Sequence, residues 1–344
     1  QQAELIYQQI LQFNPENAEV HNLLGLIAYQ VGKLQIATEL INQALDIDSS
    51  QSSFFNNLGL VLQKQDQLGE AIQAYQKSLE LDPNDADVYS NFGTALKEKE
   101  QLEEAIRMYQ RAIDIKSDHK EAYYNLGITL KTQGKLEEAI QMYQKAIDIT
   151  PNNTKIYNNL GNIYQEKEQL EEAIQMYQKA IELNPSFASA YNNLGATLQE
   201  QGELDQAIRI YQKVFDINPE DEGTHYNLGM LQLLMGDFKT GWQQYQWRWQ
   251  CDDFPSENRP FPQPYWKGTS LWGKTILVWA EQGIGDEIMF AGMLNDLQQS
   301  NTNIMVECEH RLIPLFQRSF SNIQFFCRTN SPDPQLLVPS IDYQ

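Results

Sequence analysis

The 344-residue sequence predicts a mainly α chain: a right-handed superhelical solenoid of two-helix repeats, followed by the first part of a smaller α/β lobe. Gly25, Gly59, Gly93, Gly127, Gly161, Gly195 and Gly229 recur every 34 residues, a period that only a repeat architecture explains. Other columns keep the same register. An aromatic residue or His stands four before each glycine, Ala or Gly twelve after it, and Tyr four further on in six copies of seven. Beyond residue 254 the period stops, and short apolar runs of strand length alternate with helix-length segments.

Within each period the apolar spacing i, i+3, i+4, i+7 marks two amphipathic helices, A and B. Glycine and alanine fall where the two must approach closely. Pro83, Pro151, Pro185 and Pro219 close helix B, because proline has no N–H to continue it. A single hairpin cannot bury its faces, so stacking is required, with the A helices lining the inner surface. Residues Gln1 to Pro15, with Ala3 and Tyr7 in helix B positions, read as half of a further repeat, which places the start of the chain inside a larger protein. The seventh copy departs from its siblings. Arg248 replaces a small residue, and Trp242, Tyr245 and Trp249 share one helical stripe, so another domain is expected to cover it.

Composition narrows the function. A net charge of −21 repels phosphate, so nucleic acid and anionic membrane surfaces are poor partners. From Pro255 onward six basic residues face nine acidic ones, so nearly all of that charge lies in the repeats. The longest apolar stretch, Thr275 to Ala280 at its widest reading, falls far short of the ~20 residues that cross a bilayer. Cys251, Cys308 and Cys327 are too few and too scattered for a disulfide framework or a zinc site, which favours a reducing, cytoplasmic setting. No metal constellation is visible.

Most repeated columns read as structure. The tyrosines Tyr75, Tyr109, Tyr143, Tyr177, Tyr211 and Tyr245 are expected core. The pairs Glu103–Glu104, Glu137–Glu138 and Glu171–Glu172 suit the positive end of helix B. The sequon Asn152-Asn153-Thr154 carries no weight in a cytoplasmic chain.

One column asks for a function. Asn57, Asn91, Asn125, Asn159, Asn193 and Asn227 lie inside helix A, where each costs ~0.6 kcal/mol relative to Ala. A carboxamide offers a donor and an acceptor, the pair that holds an extended peptide amide whatever its side chain. A row of them would bind unfolded polypeptide, and removing them should then leave thermal unfolding unchanged. Hydrogen bonding within each repeat and simple copying by duplication are the competing explanations.

These repeats resemble the tetratricopeptide repeat over roughly residues 1–254, and the Asn column resembles the asparagine ladder of O-linked N-acetylglucosamine transferases, which clamps substrate peptides. Pro255, Pro260, Pro262 and Pro264 mark a connector over 255–273, and 274–344 read as a partial, Rossmann-like βαβαβ lobe. Its strands are expected at Thr275–Trp279, Ile304–Cys308 and Ile323–Cys327, with helices at Glu287–Leu297 and Arg311–Arg318 between them. Gly283-Ile284-Gly285 lacks a third glycine, and Asp286 and Glu287 would repel a pyrophosphate, so a dinucleotide site is rejected.

Leu271-Trp272-Gly273-Lys274-Thr275 and Glu281-Gln282-Gly283-Ile284-Gly285-Asp286 instead resemble the first lobe of GT-B glycosyltransferases found behind bacterial tetratricopeptide arrays, and are similar to heptosyltransferases. That resemblance implies that Asp286, with Glu281 second, is the base that deprotonates an acceptor hydroxyl. Helix capping is the competing role for Asp286. Gly292 stands where many relatives carry a basic residue. The donor lobe is not in this chain, so the resemblance implies no cofactor here, an inactive fragment, and a nucleotide sugar bound only by the full-length parent. His310 reads as structural, without a visible partner. A non-catalytic scaffold for protein–protein interaction is the alternative reading.

Overall fold

In the computed structural model each 34-residue period folds into two helices joined by a tight turn. The structure describes residues 2–252, 254, 259–281 and 283–344. Gln1, Asp253, the start of the expected connector at Pro255, and Gln282 lie outside the described residues, as does the Ala3 side chain. The chain divides into two units, one ending at Asp221 and one beginning at Glu222. The second unit therefore contains the seventh hairpin as well as the α/β lobe.

In the first unit, α1 (Gln2–Phe13) precedes six hairpins. They are α2 (Ala18–Gln30) with α3 (Leu34–Ile47), α4 (Ser52–Lys64) with α5 (Leu68–Leu81), and α6 (Ala86–Glu98) with α7 (Leu102–Ile115). Next come α8 (Lys120–Thr132) with α9 (Leu136–Ile149), α10 (Thr154–Glu166) with α11 (Leu170–Leu183), and α12 (Ala188–Glu200) with α13 (Leu204–Ile217). Helix A starts are capped by whichever residue can accept: Asn17, Asp85 and Asn153 through side-chain oxygens, His119 through its ring nitrogen Nδ1. Helix B ends two residues before each proline, as the sequence predicts.

The glycine column answers a steric demand. Tyr75, Tyr109, Tyr143, Tyr177 and Tyr211 are at most 1% exposed, and each ring packs against the glycine of its own repeat. A Cβ at Gly161 would sit 2.4 Å from the Tyr177 ring, closer than any side chain tolerates. Burial pushes these phenols up, to about 12 at Tyr109, so they remain protonated donors. The turn between A and B has its own column. Gly32, Gly134 and Gly202 have φ of 75–85°, while Asp66, Glu100 and Glu168 hold the same left-handed conformation at φ 57–62°. A Cβ there costs ~1–2 kcal/mol, so this strain recurs through the array wherever glycine is missing.

The second unit opens with α14 (Glu222–Leu234) and α15 (Phe238–Tyr245). The α-helix stops at Tyr245 and tightens into a 3₁₀ turn, Gln246–Gln250, earlier than the Trp242–Trp249 stripe predicts. Arg248 lies in this turn, with its guanidinium 4.4 Å from the Tyr245 ring and 4.3 Å from the Trp249 ring. Trp249 packs on Trp279 of the lobe at 5.7 Å, so part of the stripe is covered as expected. Trp242 stays 55% exposed and Tyr245 is only half-buried, which corrects the core assignment made for that tyrosine.

The lobe has three parallel strands, β1 (Thr275–Trp279), β2 (Asn303–Cys308) and β3 (Gln324–Cys327), in the order β1-β2-β3. Thr275 pairs with Asn303, and Met305 with Gln324. Instead of one helix over Glu287–Leu297 there are two, α16 (Ile284–Phe290) and α17 (Met293–Gln298), separated at Ala291–Gly292. The second crossover is a 3₁₀ turn at His310–Leu312 continuing into α18 (Ile313–Ser319). Tyr343 bridges in parallel to Ile276 on the free edge of β1, which puts the chain end beside β1 rather than beyond β3.

Candidate functional site

The asparagine column lies at one fixed place on the A helices, and its first commitment is internal. Asn57 Nδ2 donates to Asn22 Oδ1 at 3.0 Å and Asn91 Nδ2 to Asn56 Oδ1 at 3.1 Å. Asn193 Nδ2 donates to Asn158 Oδ1 at 3.0 Å and to Asn162 Oδ1 at 2.9 Å. Asn159 reaches the hydroxyls of Tyr124 and Tyr143 at 3.4 and 3.3 Å, and Asn125 makes a longer contact with Thr94 at 3.5 Å. Each acceptor belongs to the preceding repeat. The amides therefore stitch neighbouring A helices together. Such a bond contributes ~0.5–1.5 kcal/mol, which offsets the propensity cost of Asn inside a helix.

That finding corrects the expectation that these residues are free of structural duty. Removing them loosens the array. The geometry also fixes which way each amide points. Among the described residues nothing donates to the Oδ1 atoms of Asn57, Asn91, Asn125, Asn159 or Asn193, and none of those atoms is buried and unpaired, so each keeps an open acceptor with some contact with solvent. At Asn91 the surroundings form a groove of about 200 Å³, lined by Tyr29, Leu60, Gln63, Lys64, Thr94 and Glu98 from three successive A helices. Asn227 holds the same register in the seventh hairpin, in the second unit.

Two further polar rows accompany the ladder. Gln63 donates to Glu98 at 2.8 Å and Gln165 to Glu200 at 2.7 Å, and Lys131 pairs with Glu166 at the equivalent place. Glu103, Glu137 and Glu171 accept from Gln133, Lys167 and Gln201 of the following repeat. The helix B carboxylates thus join repeats, a role beyond the helix-start chemistry the sequence predicts for them.

In the second unit the two carboxylates singled out as bases meet different fates. Glu281 is held by Arg248 through both oxygens, Nε to Oε1 at 2.9 Å and Nη2 to Oε2 at 2.7 Å, so both of its oxygens are committed to an ion pair. Asp286 is the third residue of α16, whose N-cap is Gly283 with no side-chain cap, so Asp286 does not cap the helix. It is half-buried at a cavity of about 390 Å³ at the carboxyl ends of β1 and β2. His310, expected to lack a partner, pairs with Glu309 at 2.7 Å.

Glu287, read from the sequence only as a group that would repel a pyrophosphate, lines the same cavity. Its Oε2 accepts the Glu309 backbone N–H at 2.9 Å, and burial pushes its carboxyl above the ordinary value of 4.5 despite that bond. An acid whose pKa is raised in the folded state stabilises fully below its unfolded pKa, and that contribution is lost as pH rises through the folded value. Glu287→Gln, which keeps an acceptor for Glu309, is therefore expected to raise stability at neutral pH and to change it little in acid, below the ordinary carboxyl value. Denaturant midpoints at the two pH values check this. A gain that persists in acid contradicts it.

Comparison with known proteins follows this geometry. Models described as TPR or tetratricopeptide repeats match residues 51–118, 108–141, 129–168, 161–202 and 188–221. Residues 51–221 are tetratricopeptide repeats. A curated relative, Protein FlbA of Caulobacter vibrioides, is 34% identical over 95 residues, which are 27% of this chain and only 16% of that protein. Among solved structures, Pseudomonas aeruginosa pilF aligns with a TM-score of 0.54 at 20% identity, covering 64% of this chain and 97% of that one. The Cut9–Hcn1 hetero-tetramer of APC/C aligns at 0.53 and 19%, covering 71% of this chain and 48% of that one. These two show the fold. YrrB, described as a TPR protein with an unusual peptide-binding site, aligns at 0.45 and 27%, over 54% of this chain and 95% of that one.

Proposed function

We propose that the tetratricopeptide array holds extended polypeptide along its A-helix face, with the Oδ1 atoms of Asn57, Asn91, Asn125, Asn159 and Asn193 accepting main-chain N–H groups, and Asn227 acting likewise in the seventh hairpin. The observation that carries this reading is the shared orientation of the five amides: one N–H is tied to the preceding repeat and the carbonyl is left to solvent. A tied amide presents its acceptor without further loss of rotamer freedom, which is how a preorganised site gains affinity. Backbone atoms are the target, so the grip is indifferent to side-chain sequence.

The resemblance to GT-B lobes adds a finer reading. In it the peptide is an acceptor substrate, Asp286 takes the proton of its hydroxyl, and a nucleotide sugar is the second substrate. With Glu281 bound to Arg248, Asp286 is the better placed carboxylate. Support for a donor site in this unit is lacking, since the described residues lining the cavity beside Asp286 include no Lys, Arg or His to hold a diphosphate. The same observation favours the scaffold reading for this part of the chain, with recruitment by the array as its whole contribution.

Binding of a fluorescein-labelled, chemically unfolded polypeptide tests the ladder, provided stitch and acceptor are separated. Asn57→Ala with Asn91→Ala removes both, and is expected to weaken binding at least tenfold, the scale of one to two lost hydrogen bonds. Asn22→Ala with Asn56→Ala removes the same two stitches while keeping the carbonyls of Asn57 and Asn91. That control loses only the preorganisation, so it should bind more tightly than the Asn57, Asn91 variant at equal stability loss, though less tightly than the parent. Equal weakening in both variants rejects the ladder as a binding site.

A further inference from the structure

The cavity at the carboxyl ends of β1 and β2 takes no part in holding main chain, and its chemistry is unlike that of the A-helix face. At about 390 Å³ it falls in the range of small-molecule sites. Its walls are mostly apolar, from Met230 and Leu233 of α14 to Leu294 of α17 and Phe316 of α18, and Trp242, Tyr245 and Phe290 add aromatic faces. The polar lining is one-sided. Among the described residues it holds carboxylates, Glu281, Asp286 and Glu287 foremost, and no basic side chain. Arg248 reaches Glu281 but is engaged there through two nitrogens, and its third donor goes to the Tyr245 carbonyl at 3.0 Å. Asp286 has no such partner among the described residues.

We propose that this cavity binds an amphiphilic organic cation, an alkyl- or arylalkyl-ammonium whose charged head lies against Asp286 and Glu287 and whose apolar body fills the space between α14, α17 and α18. An ammonium satisfies carboxylates that no basic side chain of the cavity lining pairs with, and the aromatic faces in the wall favour a cation further. Anionic amphiphiles meet like charge in an apolar surround, where repulsion is strongest. A second group in the wall reports the same field. The Cys308 thiol is pushed up to about 12 by burial first and then by surrounding negative groups, Glu287 foremost among them.

This inference does not rest on the peptide reading. Its variants lie in the second unit and its probe is no polypeptide, so either can fail alone. The test is calorimetric titration of the full chain with decylamine, decanol and decanoate below their aggregation concentrations. Decylamine is expected to bind at one site, about tenfold or more tighter than decanol, with decanoate weaker still. Asp286→Asn with Glu287→Gln should bring decylamine down to the affinity of decanol and leave decanol unchanged. Met230→Trp, which fills the cavity from a partly exposed wall position, should weaken both. Undiminished decylamine binding in the filled variant would mean nonspecific attraction to an acidic surface and would overturn the proposal, as would decanoate binding as tightly as decylamine.

Discussion

Replacing Arg259 by Met is expected to destabilise the second unit by about 3–5 kcal/mol, far more than a surface arginine would. Glu307, in the middle of the sheet, has no exposed side-chain surface, and Arg259 has 8%. Arg259 Nη2 meets Glu307 Oε1 at 2.5 Å, and Nη1 donates to the Thr329 carbonyl at 2.8 Å. Losing the arginine leaves a carboxylate buried without compensation, a penalty much larger than the net worth of the intact pair. The pair itself is imperfect. Glu307 Oε2 and Arg259 Nε are buried without partners among the described residues, so desolvation is only partly repaid. Removing both charges, as Arg259→Met with Glu307→Met, should therefore recover most of the loss and can even exceed the parent. Urea unfolding of Arg259→Met, Glu307→Met and the double variant decides it. A single substitution costing under about 1 kcal/mol, or a double that costs the sum of its singles, contradicts the account.

The contrast between the two units in what the sequence reveals has a physical origin. In the array every contact is made again 34 residues later, so a contact of two columns, such as Gly161 against Tyr177, appears in sequence as two columns at a fixed offset. The stitches were legible in the same way, since Asn57 with Asn22, Asn91 with Asn56 and Asn193 with Asn158 are each one repeat plus one residue apart. What the column does not encode is the direction of the amide. A helix position fixes where the Cβ goes, and the torsions beyond it are decided by the neighbouring helix, which is why the ladder reads as free binding groups and turns out to be half committed. The left-handed turn residues also left a trace, glycines at 32, 134, 202 and 236, hidden by the Asp and Glu that endure the same conformation elsewhere.

No such echo exists in the second unit. Arg248 with Glu281 and Arg259 with Glu307 are contacts made once, 33 and 48 residues apart, the first between a 3₁₀ turn and the segment after β1, the second between an irregular segment and β2. The strands were legible because apolar runs are local. Glu307 within β2 was passed over because a lone acid in an apolar run carries no sign of its partner.

Tyr177→Ala is expected to be the most damaging change within the first unit, lowering its stability by about 3–5 kcal/mol, while Tyr177→Phe costs only about 1 kcal/mol. The ring fills the space that Gly161 vacates and is fully buried, so truncation opens a cavity between α10 and α11 that rigid helices cannot close. The hydroxyl adds a smaller part. It donates within reach of Asn162 Oδ1 at 2.8 Å and Gln165 Oε1 at 3.0 Å, and Asn162 also accepts from Asn193 of the next repeat at 2.9 Å. The core of the fifth repeat is thereby linked to the ladder of the sixth. Because each repeat touches mainly its neighbours, a weak fifth repeat divides the array instead of lowering all of it evenly. Hydrogen exchange should show protection falling first in α10 and α11, with α4 to α7 little changed, and the unfolding transition should broaden or split. Peptide binding should fall as well, since rungs on either side of the break no longer hold one line. A sharp single transition with uniform loss of protection would mean that the array folds as one block, and that alignment of the amides is enforced by something other than these neighbour contacts.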